Sequence, residues 1–178
     1  MTRLFVAITP PADVVRTLSL MQGGVPGARW HENEQMHLTL RFIGEVDGRV
    51  FAAIDDALSG IEASGFSLRL KGVGEFGGRK PRALWAGVEA SEALLRLQRK
   101  IETTLQRTGL EPEPRKFSPH VTLARLKATP PGAVMDFIVD HALYASEPFA
   151  VEEFSLFSSR PSANGSLYRQ ERAYHLRG

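Results

Sequence analysis

Apolar positions recur along the chain at two spacings, and each spacing predicts one type of secondary structure. Runs with apolar residues at alternate positions predict strands, and longer segments with apolar residues three and four apart predict helices. The predicted strands are Leu4–Thr9, Met36–Ile43, Phe66–Val73 with an extension toward Phe76, Ala83–Val88, His120–Ala124, Phe149–Ser158 and Leu167–Leu176. Helices are predicted to begin near Pro11, Asp47, Ser91 and Ala133. Aspartate and serine cap helix N-termini, and proline is favoured in a first helical turn.

The order of these elements occurs twice, which predicts an internal duplication. The stretch LFVAI corresponds to LWAGV, and HLTL at 37–40 corresponds to HVTL at 120–123. The second correspondence and the pair Phe66 and Phe149 share an offset of 83 residues. Two units indicate a duplication and not a solenoid. We therefore predict an α+β fold of two pseudo-symmetric lobes. Each lobe is a mostly antiparallel sheet with helices packed outside, and a cleft lies between them.

Length and composition limit this picture further. The 178 residues fit one domain, 1–178, of two interlocked repeats at roughly 1–78 and 79–178, since no Gly/Ser-rich linker separates them. No apolar run approaches the ~20 residues that cross a bilayer, and the absence of cysteine excludes disulfides. A cytoplasmic monomer is expected. The formal charge of +2 is too small for a dedicated duplex-binding protein, but it suits local attraction of a phosphate.

The two HxT motifs predict one site that is built from both halves. In a strand, residues two apart project from the same face. His37 and Thr39 therefore share a face, as do His120 and Thr122, while the apolar residues between them pack behind. A single HxT is most often an exposed strand edge, with threonine present for its β propensity. Two copies that face away from the predicted core are not explained by packing.

Two imidazoles and two hydroxyls suit acid–base catalysis on a phosphate ester. A neutral imidazole can take a proton from water while a protonated one donates to the leaving oxygen. The threonine hydroxyls can donate hydrogen bonds to non-bridging phosphate oxygens. This chemistry requires neither a metal nor another cofactor. No HExxH, CxxC or carboxylate cluster predicts a metal site.

The sequence resembles the 2H phosphoesterase superfamily, which is defined by paired HxTx motifs. Within it, the resemblance is to the bacterial and archaeal RNA 2′,3′-cyclic phosphodiesterases, also called 2′–5′ RNA ligases. The stretches that carry it are RLFVAI, RWHENEQMHLTLRFIGEV, KPRALWAGVE, FSPHVTLARL and FSLFSSR, in that order over nearly the whole chain. The resemblance implies the fold of that superfamily. It also implies hydrolysis of a 2′,3′-cyclic phosphate, on an RNA end or a small cyclic nucleotide, to a 2′-phosphate.

The resemblance also implies a role for each motif residue. His37 would be the proton donor and His120 the proton acceptor, and Thr39 and Thr122 would hold the phosphate. The spacing of the motifs does not itself decide which histidine is the acid and which is the base.

Two arginines are candidates for substrate binding. Arg125 matches an arginine that follows the second motif in family members, and its planar guanidinium could pair with phosphate. Strict strand alternation directs it away from His120, so this role requires a bend after Leu123. Strand alternation places Arg41 on the same face as His37, so it could take part in the site. The alternative is that Arg41 only keeps the end of its strand in contact with water.

Two aromatic residues are the other binding candidates. Phe42 and Trp30 could stack on a base, as aromatic side chains do with single-stranded RNA. Core packing is the alternative for Phe42, because alternation places it on the same face as Leu38 and Leu40.

The remaining motifs have structural explanations. Gly72, Gly74 and Gly77 satisfy GxGxxG, but a basic stretch and another strand follow them, so a hairpin loop is predicted and not a dinucleotide site. The histidines without an HxT partner are expected to be surface or structural residues; they are His31, His141 and His175.

Two other functions are compatible with the same motifs. The site could run in reverse and join RNA ends through a 2′–5′ linkage, although abundant water favours hydrolysis. A non-catalytic module that binds RNA ends is the third possibility, but binding alone could use arginine or backbone amides and would not need two histidines.

Overall fold

The secondary structure consists of strands with helices between them. A computed structural model describes residues 1–163 and 165–177. The strands in this part are β1 (Thr2–Ile8), β2 (Ala28–Trp30), β3 (Leu38–Val46), β4 (Phe66–Leu68), β5 (Leu70–Phe76), β6 (Ala83–Val88), β7 (His120–Leu126), β8 (Phe149–Val151), β9 (Glu153–Ser162) and β10 (Gly165–His175). The helices are α1 (Ala12–Leu20), α2 (Gly48–Ser59), α3 (Glu92–Arg107) and α4 (Pro131–Asp140), and one 3₁₀ turn spans Asn33–Gln35. None of these helices is long and apolar enough to cross a membrane.

Eight of the strands form one antiparallel sheet, and the two halves of the chain meet at its centre. The strand order is β10-β9-β1-β3-β7-β6-β5, and β2 also pairs with β7. One residue pair, Leu38 with Val121, joins β3 to β7. The predicted α+β fold with antiparallel strands is confirmed, and the two half-sheets are continuous across this pair.

Strand pairing between the halves supports the proposed duplication. Leu38 pairs with Val121 and Ser67 pairs with Ala150, so both pairs join residues that are 83 positions apart. Strand β5 pairs with β6 of the second half, and β9 pairs with β1 of the first. Each half therefore completes the sheet of the other. We retain two interlocked repeats, roughly 1–78 and 79–178, as a proposal.

The helices pack on one face of the sheet. Buried residues from all four helices form one core cluster with inward-facing strand residues, among them Leu38 and Val121. The opposite face carries a smaller cluster of Phe5, Ala7 and Phe157, to which no helix contributes in the described part of the chain. The second face is therefore the one on which polar side chains can meet a ligand.

Most element boundaries agree with the sequence pattern. Asp47 and Ser91 cap α2 and α3 as predicted, and the GxGxxG segment lies in the β5–β6 hairpin. The predicted strands Phe66–Val73 and Phe149–Ser158 each divide in two, because their first residues leave the main sheet and form the β4–β8 pair. The prediction lacks β2 and the 3₁₀ turn, since three residues are too few to show a period.

Candidate active site

Both HxT motifs project from the open face of the sheet on neighbouring strands. Leu38 and Val121 are paired and buried under the helices, so the residues on either side of each point to the other face. The antiparallel register sets His37 across from Thr122, and Thr39 across from His120. The two histidines therefore lie on a diagonal, with about 7–8 Å between their Cα atoms.

The ring of His37 is held in an aromatic cluster. Its centroid lies 4.4 Å from that of Phe157, 5.7 Å from Tyr168 and 6.1 Å from Phe5. These residues belong to β9, β10 and β1. The imidazole is therefore shielded from water on this side.

The ring of His120 has a similar aromatic support. Its centroid lies 4.9 Å from that of Phe76 and 6.1 Å from that of Trp85. Trp85 and Phe5 stand at corresponding positions of LWAGV and LFVAI. Both halves thus place an aromatic residue of the neighbouring strand against their histidine.

A β-bulge follows each HxT motif. The residue that the strand pairing skips directly after each motif is Leu40 on β3 and Leu123 on β7, and the pairing of β3 with β1 also skips Ile43. Two consecutive residues are buried at each bulge, Leu40 with Arg41 and Leu123 with Ala124. An extra residue in a strand reverses the alternation beyond it. The bulges therefore decide which later side chains reach the open face.

Phe42 and Arg125 reach the open face because of these bulges. Phe42 is 54% exposed, and its ring lies 6.0 Å from that of Phe5. The prediction from alternation that Phe42 points into the core is therefore wrong. Arg125 is exposed and lies close enough to His120 for its charge to add to burial, the main cause, in lowering the pKa of His120. The bend that Arg125 requires after Leu123 is present.

Arg41 does not share a face with His37, and this prediction is wrong. Its side chain is buried and pairs with Glu102 on α3, on the helical side of the sheet. The guanidinium also donates to the carbonyl oxygens of Phe42 and Glu111. The cause is the bulge at Leu40, which strict alternation ignores. Arg41 is therefore withdrawn as a substrate-binding candidate.

Trp30 also lies on the helical side. It pairs with Ala124, which is buried in the main core, and its ring lies 5.8 Å from that of Phe137 on α4. This position turns Trp30 away from the open face and argues against stacking on a base there, so Trp30 is not carried into the proposed site. The short strand β2 fixes this orientation, and the sequence pattern does not reveal β2.

Two site residues, His31 and Arg29, are absent from the sequence-based candidates. His31, expected to be a surface or structural residue, lies close enough to Arg125, His37 and Arg29 for each charge to lower its pKa. Burial is the largest cause, and the pKa of His31 is about 4. Arg29 lies directly opposite Arg125. If β2 had been predicted from the sequence, alternation along RWH would have placed Arg29 and His31 on the open face, because Trp30 between them points inward.

The hydrogen bonding of His120 determines its tautomer. Nδ1 lies 2.7 Å from the carbonyl oxygen of Ser118. A carbonyl can only accept, so Nδ1 carries the hydrogen and Nε2 of the neutral ring carries the lone pair. Burial, followed by the charge of Arg125, lowers the pKa of His120, and the Ser118 carbonyl opposes this effect. The neutral form therefore predominates at neutral pH.

His37 is also held neutral in the free protein. Burial lowers its pKa to about 4, and the carbonyl of Gln35 opposes the shift without forming a well-shaped hydrogen bond to Nδ1. No other described residue is a hydrogen-bond partner of this buried Nδ1. The two histidines thus differ, because a well-formed hydrogen bond between Nδ1 and a carbonyl oxygen is present only at His120.

The other polar groups of the site are available to a ligand. Thr39 and Thr122 are half-buried, and the hydrogen bonds within residues 1–163 and 165–177 do not occupy their hydroxyl groups. In the same residues, no group of three or more His, Asp or Glu side chains is arranged to hold a metal ion.

Comparison with known proteins identifies the family. A model of the 2′-5′ RNA ligase superfamily matches residues 9–162, well over half of the chain. The chain belongs to the 2′-5′ RNA ligase superfamily. An RNA 2′,3′-cyclic phosphodiesterase of Thermotoga maritima is 33% identical over 94% of this chain and 91% of the relative. One of Archaeoglobus fulgidus is 31% identical over 97% and 99%.

Solved structures share the fold over nearly its whole length. TT0787 of Thermus thermophilus matches with a TM-score of 0.79 and 29% identity, covering 99% of this chain and 98% of that one. Escherichia coli LigT in complex with 3′-AMP matches with a TM-score of 0.79 and 25% identity, covering 98% of each chain. The resemblance seen in the HxTx motifs therefore extends to the complete fold.

Proposed function

We propose that this protein hydrolyses 2′,3′-cyclic phosphodiester ends of RNA or nucleotides to 2′-phosphomonoesters by two-histidine acid–base catalysis. The observation that supports it most is the pairing of Leu38 with Val121, which puts both HxT motifs on one face of the sheet. The names of the curated relatives support the reaction.

His120 acts as the general base in this proposal. Its Nδ1 hydrogen is committed to Ser118, so the Nε2 lone pair is free to accept a proton from water. The resulting hydroxide equivalent forms a bond to phosphorus. The Ser118 carbonyl stabilises the imidazolium that results, because it accepts a hydrogen bond from the charged ring.

His37 acts as the general acid. The bond between phosphorus and the 3′-oxygen breaks, and His37 transfers its proton to that oxygen. The products are a 3′-hydroxyl and a 2′-phosphate. The pKa of about 4 leaves His37 mostly neutral in the free protein. A bound phosphate anion raises this pKa, because a nearby negative charge favours the imidazolium.

Thr39, Thr122 and Arg125 hold the phosphate in this proposal. The threonine hydroxyls donate to its non-bridging oxygens, where negative charge increases in the transition state. Arg125 compensates that charge, and its orientation after the β7 bulge supports this role. Phe42 is retained as a candidate to contact the base, since it is exposed beside Phe5.

Formation of a 2′–5′ linkage is the second candidate. The superfamily that matches the chain is named for 2′-5′ RNA ligase activity. In this reaction the alcohol of an acceptor RNA replaces water as the attacking group, and the bond between phosphorus and the 3′-oxygen breaks as in hydrolysis. Incubation with and without an acceptor RNA separates the two reactions by their products.

The decisive test uses adenosine 2′,3′-cyclic phosphate and separates the 2′- and 3′-phosphate products. We expect only the 2′-phosphate, with full activity in a chelator. His37→Ala and His120→Ala should each lower kcat by about 10²–10⁴-fold. His175→Ala is the matched control, because this histidine is exposed and outside the site. Near-normal turnover in either site variant would contradict the mechanism, and binding without turnover in the native protein would favour the non-catalytic module.

We also propose that the protein acts as a monomer in the cytoplasm. All proposed site residues come from one chain, and His37 and His120 flank the pair that joins β3 to β7. Light scattering should give the mass of one chain, 19.6 kDa, and cell fractionation tests the location. A dimer whose dissociation abolishes activity would contradict the monomer.

A further inference from the structure

Two arginines lie directly opposite each other beside the proposed site. Arg29 on β2 pairs with Arg125 on β7, with about 4.5–5.5 Å between Cα atoms in such a pair. Opposed like charges on one face destabilise a sheet. In the described part of the chain, neither guanidinium forms an ion pair with a carboxylate. An anion bound between or beside the two exposed guanidinium groups would relieve this repulsion.

His31 stands next to this pair in a fixed position. Its N–H donates to the carbonyl oxygen of Leu123 at 2.8 Å, and its own carbonyl accepts from Gln22 at 2.8 Å. Its Nδ1 is buried without a hydrogen-bond partner among the described residues. A buried polar atom without a partner costs about 1–3 kcal/mol. A ligand oxygen therefore reaches Nδ1 only if the His31 ring turns toward the open face, and a hydrogen bond there would offset that cost.

Arg29 is oriented along the rim and not toward the HxT motifs. Its Nη2 donates to the carbonyl oxygen of Ala163, 3.1 Å away, near the turn between β9 and β10. One hydrogen bond leaves most of the five guanidinium N–H groups free. Arg125, His31 and Arg29 therefore form a basic rim. It runs from the phosphate-binding residues toward the β9–β10 turn.

We propose that the basic rim binds a second phosphate of the substrate, one nucleotide away from the cyclic phosphate. This inference rests on the proposed function. The reacting cyclic phosphate carries a single negative charge, which Arg125 can compensate. Arg29 and His31 then serve the next phosphate, with Arg29 as the charged partner and His31 as a neutral hydrogen-bonding group. The preferred substrate is an RNA end or a nucleotide with a further phosphate, and not a nucleoside cyclic phosphate.

Three substrates test this inference. Adenosine 2′,3′-cyclic phosphate has no second phosphate, ApA with a 2′,3′-cyclic phosphate end has an internal phosphodiester, and 5′-phosphoadenosine 2′,3′-cyclic phosphate has a terminal one. We expect kcat/KM to be about tenfold higher for ApA than for the first substrate, mainly through KM. If kcat/KM is raised as much for 5′-phosphoadenosine 2′,3′-cyclic phosphate as for ApA, a small nucleotide with a second phosphate is sufficient as the substrate. If kcat/KM is raised for ApA alone, the preferred substrate is RNA.

Variants show whether the basic rim causes the preference. Arg29→Gln should lower kcat/KM about 5- to 20-fold for ApA, and less than twofold for the substrate without a second phosphate. His31→Gln should act in the same direction more weakly, and Arg29→Lys should retain part of the preference. The slope of the logarithm of the ApA binding constant against the logarithm of the salt concentration should fall by about one in Arg29→Gln. Arg49→Gln is the control, because Arg49 is exposed on α2.

Two results would overturn the inference. One is a native protein that does not distinguish the three substrates. The other is an Arg29→Gln variant that loses equal activity on all of them, as a purely structural residue would. If no substrate is turned over, the proposed function fails separately. The basic rim is then tested by calorimetry, which compares binding of ApA 3′-phosphate with that of adenosine 3′-phosphate.

Discussion

Arg41 and Glu102 form an ion pair that connects β3 to α3, with 2.5 Å between Nε and Oε1. Glu102 also accepts the N–H of Glu113, in the loop that leads to His120. Burial would raise the pKa of Glu102, but the hydrogen bonds from Arg41, Gln106 and Glu113 lower it on balance. Through Glu102, Arg41 beside the Leu40 bulge is therefore connected to Glu113, in the segment that precedes the second HxT motif.

Replacing Arg41 should destabilise the fold. Arg41→Met leaves the Glu102 side chain, only 17% exposed, without its cation. Removing one partner of a buried pair is costly, and the remaining solvent access reduces the expected loss to about 2–3 kcal/mol. Urea denaturation measures it, with exposed Arg49→Met as the control. An unchanged midpoint would show that the ion pair contributes nothing to stability.

The pH dependence should differ between the free protein and the complex. The pH dependence of kcat/KM reports the pKa values of the ionisable groups in the free protein. His37 there has a pKa of about 4, and the pKa of His120 is below the ordinary 6.5. The optimum of kcat/KM should therefore fall below pH 6.5. Bound phosphate raises the pKa of His37, so the alkaline limb of kcat should lie at higher pH. Coincident alkaline limbs would mean that substrate does not change the protonation of His37.

Acid should destabilise the protein through its buried histidines. His31 and His37 have folded pKa values of about 4 against 6.5 when unfolded, so the unfolded state binds more protons between these values. Their contribution is complete above pH 6.5 and is lost as the pH falls toward 4, by at most about 3 kcal/mol for each. Urea midpoints at several pH values measure it. His31→Asn should reduce the acid loss, whereas exposed His175→Asn should leave it unchanged.

Gly74 should be required for the support of His120. A Cβ at this position would lie 2.3 Å from Cη2 of Trp85, so Gly74→Ala must displace that ring. We expect a loss of about 1–3 kcal/mol in stability and a lower kcat, because Trp85 packs beside His120. Tryptophan fluorescence in a Trp30→Phe background reports the displacement. Gly48→Ala is the control, since no atom lies within 4 Å of its added Cβ; equal effects would contradict the prediction.

The sequence was sufficient for the two HxT strands and for the fold class. His37 and Thr39 alternate with buried Leu38 and Leu40, and this local alternation depends only on the geometry of an extended chain. The recurrence of the motif after 83 residues predicted that the two HxT strands meet, and in the structure they pair at Leu38 and Val121. Asp47 and Ser91 predicted helix starts because capping involves neighbouring residues only.

Tertiary structure alone decided which side chains after each motif face the site. The bulges at Leu40 and Leu123 depend on how β3 and β7 fit against β1 and β6, and nothing in the local pattern marks the extra residue. They bury Arg41 and expose Arg125. The position of Arg29 depends on β2, three residues that form a strand only because β7 offers an edge. Alternation is a local property of the backbone, whereas register is determined by packing between distant segments.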